Sequence, residues 1–504
     1  MNSLLKRSIV IALGLFLSLV VVFDPYITNV LVKQIDLQIF HKNILRLYPY
    51  EISSLLLLSF FSIPLVLKLI NWVKADIDKS FLLFFLIGLQ TVSLTTMGSF
   101  DGSEFLLIVY FLLLLPRYLI RHEKLHLTLF HELNILLFIS VLLASFIGGF
   151  SMFARSSLTM VKFALIILLI VNTIRDRDNL VFLLKWLVII TTGSSLIALF
   201  QEVAYKLFHV TLVGIVDEKT MKLMYEVTSF GVMLRVPGFC GTYKPFSFFL
   251  NTAILILLNY YLYNRKNISR KQLLLGIFAL SVMSAALVLT FSKDAWLSLI
   301  IGLVFCALLW RPYLVIHFAV IAVMGVFGVL LFSMIIVSFW DKIHGTLYTE
   351  FFLGEQRMRL QLAREGILGF LHKHPIFGAG IGRGDRYTGH YFQWSAHNAL
   401  IQAADETGIL GLLSYLAVLI YTFFNSIRFN LVVPKLSDTW IARGLLTGFV
   451  TFVISIQFHP FFIEKFTWFF MSIIEAFAIL AVNNNRIAPQ IPGHIIRRKR
   501  LHTG

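Results

Sequence analysis

Phe163-Ala164-Leu165-Ile166-Ile167-Leu168-Leu169-Ile170-Val171 runs without a single polar side chain. It lies inside a longer apolar stretch, 157–174, whose one ionisable residue is Lys162. About 18 or more predominantly apolar residues make a helix long enough to cross the hydrocarbon core of a bilayer. Ser53 to Leu67 and Phe105 to Leu115 repeat the pattern. The 504 residues are 58% hydrophobic and only 14% charged. Soluble domains average about 45–50% apolar and about 25% charged. So few charges cannot cover a water-exposed surface. The fold class expected is all-α: a polytopic integral membrane protein with about 12–14 spans, forming one membrane domain over 1–504.

The candidate spans are 8–23, 52–73, 80–98, 104–121, 130–150, 157–174, 180–208, 245–263, 272–291, 294–310, 313–339, 397–424, 440–458 and 464–482. The formal charge is +17. With Lys6 and Arg7 placed in the cytoplasm and the spans alternating, the strongly basic short loops all fall on the same side. Among them are the loops holding Arg117 and Arg121, Arg175 and Arg177, and Arg265 to Lys271. The Lys/Arg excess of short cytoplasmic loops sets orientation. The charge therefore reports topology, with both termini in the cytoplasm of a multi-pass protein of the cytoplasmic (inner) membrane. Nothing in it reads as a nucleic-acid face. Cys240 and Cys306 are too few and too far apart for a disulfide framework or a metal cluster. The stretch before Asp24-Pro25 lacks a small-x-small cleavage site and reads as an uncleaved first span.

Three outer segments are long: Asp24 to Glu51, His209 to Lys244, and Trp340 to Ala396. Long connections tend to carry function. In the largest, the outer loop 340–396, Glu350 to His374 reads as an amphipathic helix on the membrane surface. His374-Pro375 ends it, and Gly378-Ala379-Gly380-Ile381-Gly382 follows as a flexible turn.

Outer-face cations call for a reason. Arg155 stands at a span end, Arg235 within Arg235-Val236-Pro237-Gly238-Phe239, and Lys293 in a very short turn. Arg357, Arg359 and Arg364 stand on the amphipathic segment. Any one of them could snorkel or touch lipid headgroups. Together they outline an anion site at the outer boundary, and arginine is suited to grip phosphate oxygens. His397 opens a span, where the positive end of the helix favours the neutral imidazole that a general base needs. A lone interfacial histidine with no task is the plainer alternative. Asp405 and Glu406 lie about two turns further along, deep enough to mark either function or pairing. Glu475 is also within a span, and packing in the bundle is its plain account.

Three stretches, read together, resemble the signature of the O-antigen ligase and polymerase superfamily. They are His374-Pro375-Ile376-Phe377-Gly378-Ala379-Gly380-Ile381-Gly382, His397-Asn398-Ala399-Leu400-Ile401-Gln402 and Glu406-Thr407-Gly408-Ile409-Leu410-Gly411. The Arg235 to Phe239 segment, Phe291-Ser292-Lys293 and Gly354-Glu355-Gln356-Arg357 add to the likeness, which is strongest over about residues 230–420. The resemblance implies a fold like that of C-type glycosyltransferases, with the large loop capping the site. It implies a glycan donor on undecaprenyl diphosphate and a polysaccharide or lipid acceptor whose hydroxyl attacks the anomeric carbon. It also implies no cofactor and no metal. On this likeness His397 is the base and Arg235 binds the diphosphate, with Arg155, Lys293 and Arg357 as further diphosphate ligands. Asn398, Glu406, His374, Gly378 and Gly380 are supporting motif residues. Lys293 departs from the family's arginine, keeping the charge but losing the fork. Membrane lipids, a flippase and a chain-length regulator are the partners that would fit. A polysaccharide or small-molecule transporter is the alternative. It would call for ionisable residues along many spans and for broken helices in symmetric positions.

Overall fold

The computed structural model describes residues 76–90, 102–120, 122–123, 125–147, 149–208, 225–228, 231–240, 242–311, 361–371, 375–380, 398–432, 438–459, 462 and 464–487. The expected spans 8–23, 52–73 and 313–339 lie outside them. The described chain is helical apart from one two-stranded hairpin. Five helices come first: α1 (Ile77–Gln90), α2 (Gly102–Leu119), α3 (Leu129–Ile147), α4 (Phe150–Thr173) and α5 (Arg177–Phe208). The hairpin strands are β1 (Tyr225–Thr228) and β2 (Gly231–Leu234). They pair antiparallel, with Tyr225 opposite Leu234 and Thr228 opposite Gly231. Then come α6 (Tyr243–Asn264), α7 (Arg270–Leu289) and α8 (Lys293–Trp310). A shorter helix, α9, covers 361–371. The chain continues in α10 (Ala399–Val432), α11 (Thr439–Ser455) and α12 (Lys465–Ile487).

Eight of these helices are long and apolar enough to cross a membrane, and α2 and α11 contain shorter apolar stretches. The chain is a polytopic membrane protein. Its helices fall where hydropathy places them, because in hydrocarbon every backbone N–H and C=O must be satisfied within its own segment. Local signals set the ends. Ser269 and Gln272 form a reciprocal capping box that starts α7.

Burial sorts the bundle into centre and rim. In α12, 78% of the spanning window is buried and in α6 72%, against 28% for both α7 and α8. Helix α6 packs on α11, α10 on α3, and α12 on α4. Aromatic rings fill the spaces between them: Phe248 on α6 meets Phe452 of α11 and Phe466 and Phe470 of α12. Trp468 is 1% exposed and lies between Phe138, Phe163 and Tyr415. Such aromatic pairs each contribute about 0.5–1.5 kcal/mol beyond the area they bury.

Ion pairs mark the two ends. At one end Arg117 in the last turn of α2 bonds Asp78 in the first turn of α1 at 2.9 Å. There too Arg177 at the start of α5 bonds Asp438, just before α11. At the opposite end α5, α7 and α11 finish and α6, α8, α10 and α12 begin. There Glu104 of α2, 4% exposed, receives Lys162 of α4 and Lys465 of α12, each at 2.9 Å. A carboxylate enclosed by two ammonium groups ties three helices together. Removing one partner of such a buried set costs about 3–5 kcal/mol, because a charge is left uncompensated.

Candidate functional site

The end that holds Glu104 also holds the Arg235 segment, the Lys293 turn and the start of α10. Arg235 is the first residue after β2. Its neighbours are stitched to α5 and α7 through their backbone. The Leu234 N–H donates to the buried Glu202 carboxylate of α5 at 3.3 Å, and the Val236 N–H to the Leu289 carbonyl at 3.2 Å. Gln201 donates to the Gly238 carbonyl at 3.0 Å, and the Phe239 N–H to the Ser194 hydroxyl at 3.0 Å. Gly238 has φ +56°, and a Cβ there would meet the Ser194 Oγ at 2.4 Å, so the turn takes only glycine. The Arg235 guanidinium donates to the Tyr243 hydroxyl at 2.7 Å and lies 4.8 Å from the centre of that ring. A half-buried cation is thereby fixed at the mouth of α6.

Lys293 is the first residue of α8, after Ser292 as N-cap. The turn is strained: Phe291 has φ +49°, a left-handed conformation that costs an L-residue roughly 1–2 kcal/mol. Side chains hold it there. The Ser292 N–H donates to the Thr290 hydroxyl, the Ser292 hydroxyl to Asp294, and the Trp296 indole to the Leu287 carbonyl. The turn is therefore built to present Lys293 at this point, one bond away from the Arg235 segment through Leu289.

Helix α10 begins with Asn398 as its cap. The Asn398 Oδ1 accepts the N–H groups of Leu400 at 2.9 Å and Ile401 at 3.0 Å. The Asn398 amide donates to both the backbone carbonyl and the side chain of Gln457 at 3.2 Å, and the Ala399 N–H to the Ile456 carbonyl at 2.9 Å. Further along, α10 breaks at Gly408, with φ +67° and ψ −167°. The break frees two carbonyls for the large loop: Ala379 N–H donates to Asp405 and Gly380 N–H to Glu406. In return Ile409 N–H donates to Pro375. The Pro375 to Gly380 stretch is thus hooked into the kink. Asp405 and Glu406 are both buried, and Gln402 donates to Glu406 at 3.0 Å.

Of the residues expected at the site, Arg235, Lys293, Asn398, Glu406, Gly378 and Gly380 fall in this one contiguous network. Arg155 lies near the start of α4, and its side chain is outside what is described. His397, Arg357 and His374 lie outside the described residues, as does most of the amphipathic segment. Helix α9 (361–371) falls within the expected 350–374. Glu475 accepts from Tyr421 and Asn425 of α10, which accounts for it as bundle packing.

Some of the network escaped the sequence reading. His459, after α11, has its Nε2 against Asp294 Oδ2, and both side chains are buried. An acid at the first turn of a span, Asp294, was the available signal; its partner lies 165 positions away. Among the described residues no group of three His, Cys, Asp or Glu converges to hold a metal ion.

Arg235→Lys tests the cation's geometry. Lysine keeps the charge but loses the planar fork and the ring stacking. Loss of one charge-assisted bond, about 1.5 kcal/mol or more, is expected to lower turnover at least tenfold in membranes holding equal amounts of chain. Wild-type turnover would show that a point charge suffices.

Residues 278–416 match the family model described as O-Antigen ligase. The matched segment starts within α7 and ends within α10. It contains the Lys293 turn, the loop hook and the cap of α10, while Arg235 precedes it and His459 follows it. No curated protein matches the chain. The match supports the O-antigen ligase and polymerase superfamily, a multi-pass membrane protein, and a glycosyltransferase-like role in polysaccharide biosynthesis.

Proposed function

We propose, from that superfamily as premise, that the chain moves a glycan from undecaprenyl diphosphate to an acceptor hydroxyl at the outer face of the cytoplasmic membrane. On this reading the bond between the anomeric carbon and the phosphate oxygen breaks, and a bond from the acceptor oxygen forms. The hydroxyl proton passes to His397, and undecaprenyl diphosphate leaves with the electron pair. Arg235 and Lys293 stabilise the charge that develops on the diphosphate. Cations fixed in advance at the place where charge appears lower a barrier without reorganising. The observation that carries the reading is the stitching of the Arg235 segment, the strained Lys293 turn and the cap of α10 into one end of the bundle.

The orientation by Lys/Arg excess puts that end outside, where lipid-linked glycans meet acceptors and nucleotide sugars are absent. Chain extension and transfer to a lipid acceptor share the donor half of this chemistry. The test uses the full-length chain in vesicles with an undecaprenyl-diphosphate-linked oligosaccharide from the host. Release of undecaprenyl diphosphate coupled to a longer or transferred glycan is expected. A donor left intact beside a competent acceptor overturns the reading.

A further inference from the structure

The turn after α11 touches two site elements that are far apart in sequence. Through Ile456 and Gln457 it holds the cap of α10: Ala399 N–H to the Ile456 carbonyl, and Asn398 to both oxygens of Gln457. Through His459 it holds the start of α8, where His459 meets Asp294. One turn below, the Ser455 hydroxyl bonds Ser298 of α8 at 3.1 Å, and Ser298 accepts from Asn251 of α6 at 3.0 Å. Three residues of one turn, with Ser455 below them, thus set the spacing between the residue after His397 and the residue after Lys293.

The burial points the same way. His459 is 2% exposed and Asp294 8%. A histidine and a carboxylate taken out of water repay their desolvation only when held in good geometry. The Ser292 hydroxyl adds a second bond to the same carboxylate. Asp294 follows Lys293 directly, so whatever fixes this carboxylate fixes the first turn of α8 and the lysine that opens it. Without that neighbour, a cation at a helix N-terminus would face the positive end of the helix. The carboxylate sits where it offsets that repulsion.

We infer that His459 and Gln457 are positioning residues of the transfer site: His459, through Asp294, sets Lys293 for the diphosphate, and Gln457, through Asn398, sets the start of α10 for the acceptor. The inference rests on the function proposed above. It assigns different consequences to two residues of one turn. Loss of His459 weakens hold on the diphosphate, whereas loss of Gln457 slows turnover without changing that hold.

The experiment uses the purified full-length chain and undecaprenyl diphosphate as the binding probe. His459→Ala is expected to weaken probe binding about tenfold in an otherwise wild-type chain, and less than about twofold when Lys293 is already alanine. Gln457→Ala is expected to leave probe binding within about twofold while lowering turnover about three- to tenfold. Glu104→Gln, which loosens the three-helix ion set elsewhere at this end, serves as the control. It should lower melting temperature as much as His459→Ala and leave probe binding unchanged.

Equal losses from His459→Ala with and without Lys293 overturn the inference, as does wild-type binding by His459→Ala. If that variant does not fold, His459→Asn in the same cycle decides in the same way. Failure of the wild-type chain to bind the probe would instead remove the function proposed above, so the two failures are distinct.

Discussion

Gly378→Ala is expected to abolish transfer, with at least a hundredfold loss, while the chain still inserts in the membrane. The reason is backbone against backbone. A Cβ at Gly378 would lie 2.3 Å from the Thr407 nitrogen and 2.4 Å from the Glu406 carbonyl carbon. Gly378 also has φ +73°. Neither neighbour is a flexible side chain that could swing away, so the hook between the large loop and α10 must open. Opening it strips the Asp405 and Glu406 carbonyls of their donors at a depth where an unmet polar group costs about 1–3 kcal/mol. Gly408→Ala meets the same wall from the other side, with its Cβ 2.2 Å from the Ile376 carbonyl oxygen. Gly149→Ala separates strain from contact: Gly149 has φ +102° with nothing within 4 Å of a Cβ. That variant should cost about 1–3 kcal/mol of backbone strain and keep transfer near wild type. Limited proteolysis of 340–396 reports the hook directly. Rapid cleavage is expected in Gly378→Ala and Gly408→Ala, and slow cleavage in wild type and Gly149→Ala. Slow cleavage with full transfer in Gly378→Ala would show that the hook is dispensable.

The glycines illustrate what a sequence can and cannot carry. Gly378, Gly380 and Gly408 were visible as a pattern, but not as two halves of one joint. Hydropathy averages over windows, and a glycine that breaks α10 leaves the average almost untouched. The spans were legible because the bilayer imposes one length and one chemistry on all of them. Helix α10 (Ala399–Val432) nevertheless runs past the expected 424, since Phe423 to Val432 is polar enough at Asn425 and Asn430 to read as its end. The side-chain amides of those two asparagines donate inside the bundle, to Glu475 and to the carbonyls of Ser426 and Ala442. The hairpin at Tyr225–Leu234 fell in a segment read only as a long loop. Four-residue strands carry too little alternation to stand out. The triad of Glu104, Lys162 and Lys465 spans three distant helices, so no local pattern announces it. Arg235 and Lys293 could be read because they are cations on the face with fewer of them. His459 and Gln457 could not, because their meaning comes only from what the turn after α11 touches.

His397→Ala is expected to lower transfer by about 10²–10⁴-fold, the range a positioned general base contributes. Undecaprenyl-linked glycan should accumulate and chain abundance should stay unchanged. Although His397 lies outside the described residues, its neighbours supply the argument. The cap of α10 is Asn398, whose side chain already accepts from Leu400 and Ile401. Removing His397 therefore takes away no capping group of α10. Just beyond His397 the Ala399 N–H is held by Ile456 and the Asn398 side chain by Gln457, which suits a base that must sit about 2.6–3.2 Å from the proton it takes. His397→Gln keeps hydrogen bonding but cannot accept a proton at neutral pH, and it should be as inactive as alanine. A base works only in its neutral form. Wild-type turnover should fall as pH drops and the imidazole takes up a proton, and the residual turnover of His397→Ala should lack that fall. Free imidazole added to His397→Ala should restore part of the rate. Normal surface polymer in cells carrying only His397→Ala would remove this residue from the chemistry and leave Arg235 and Lys293 as a binding site in search of its base.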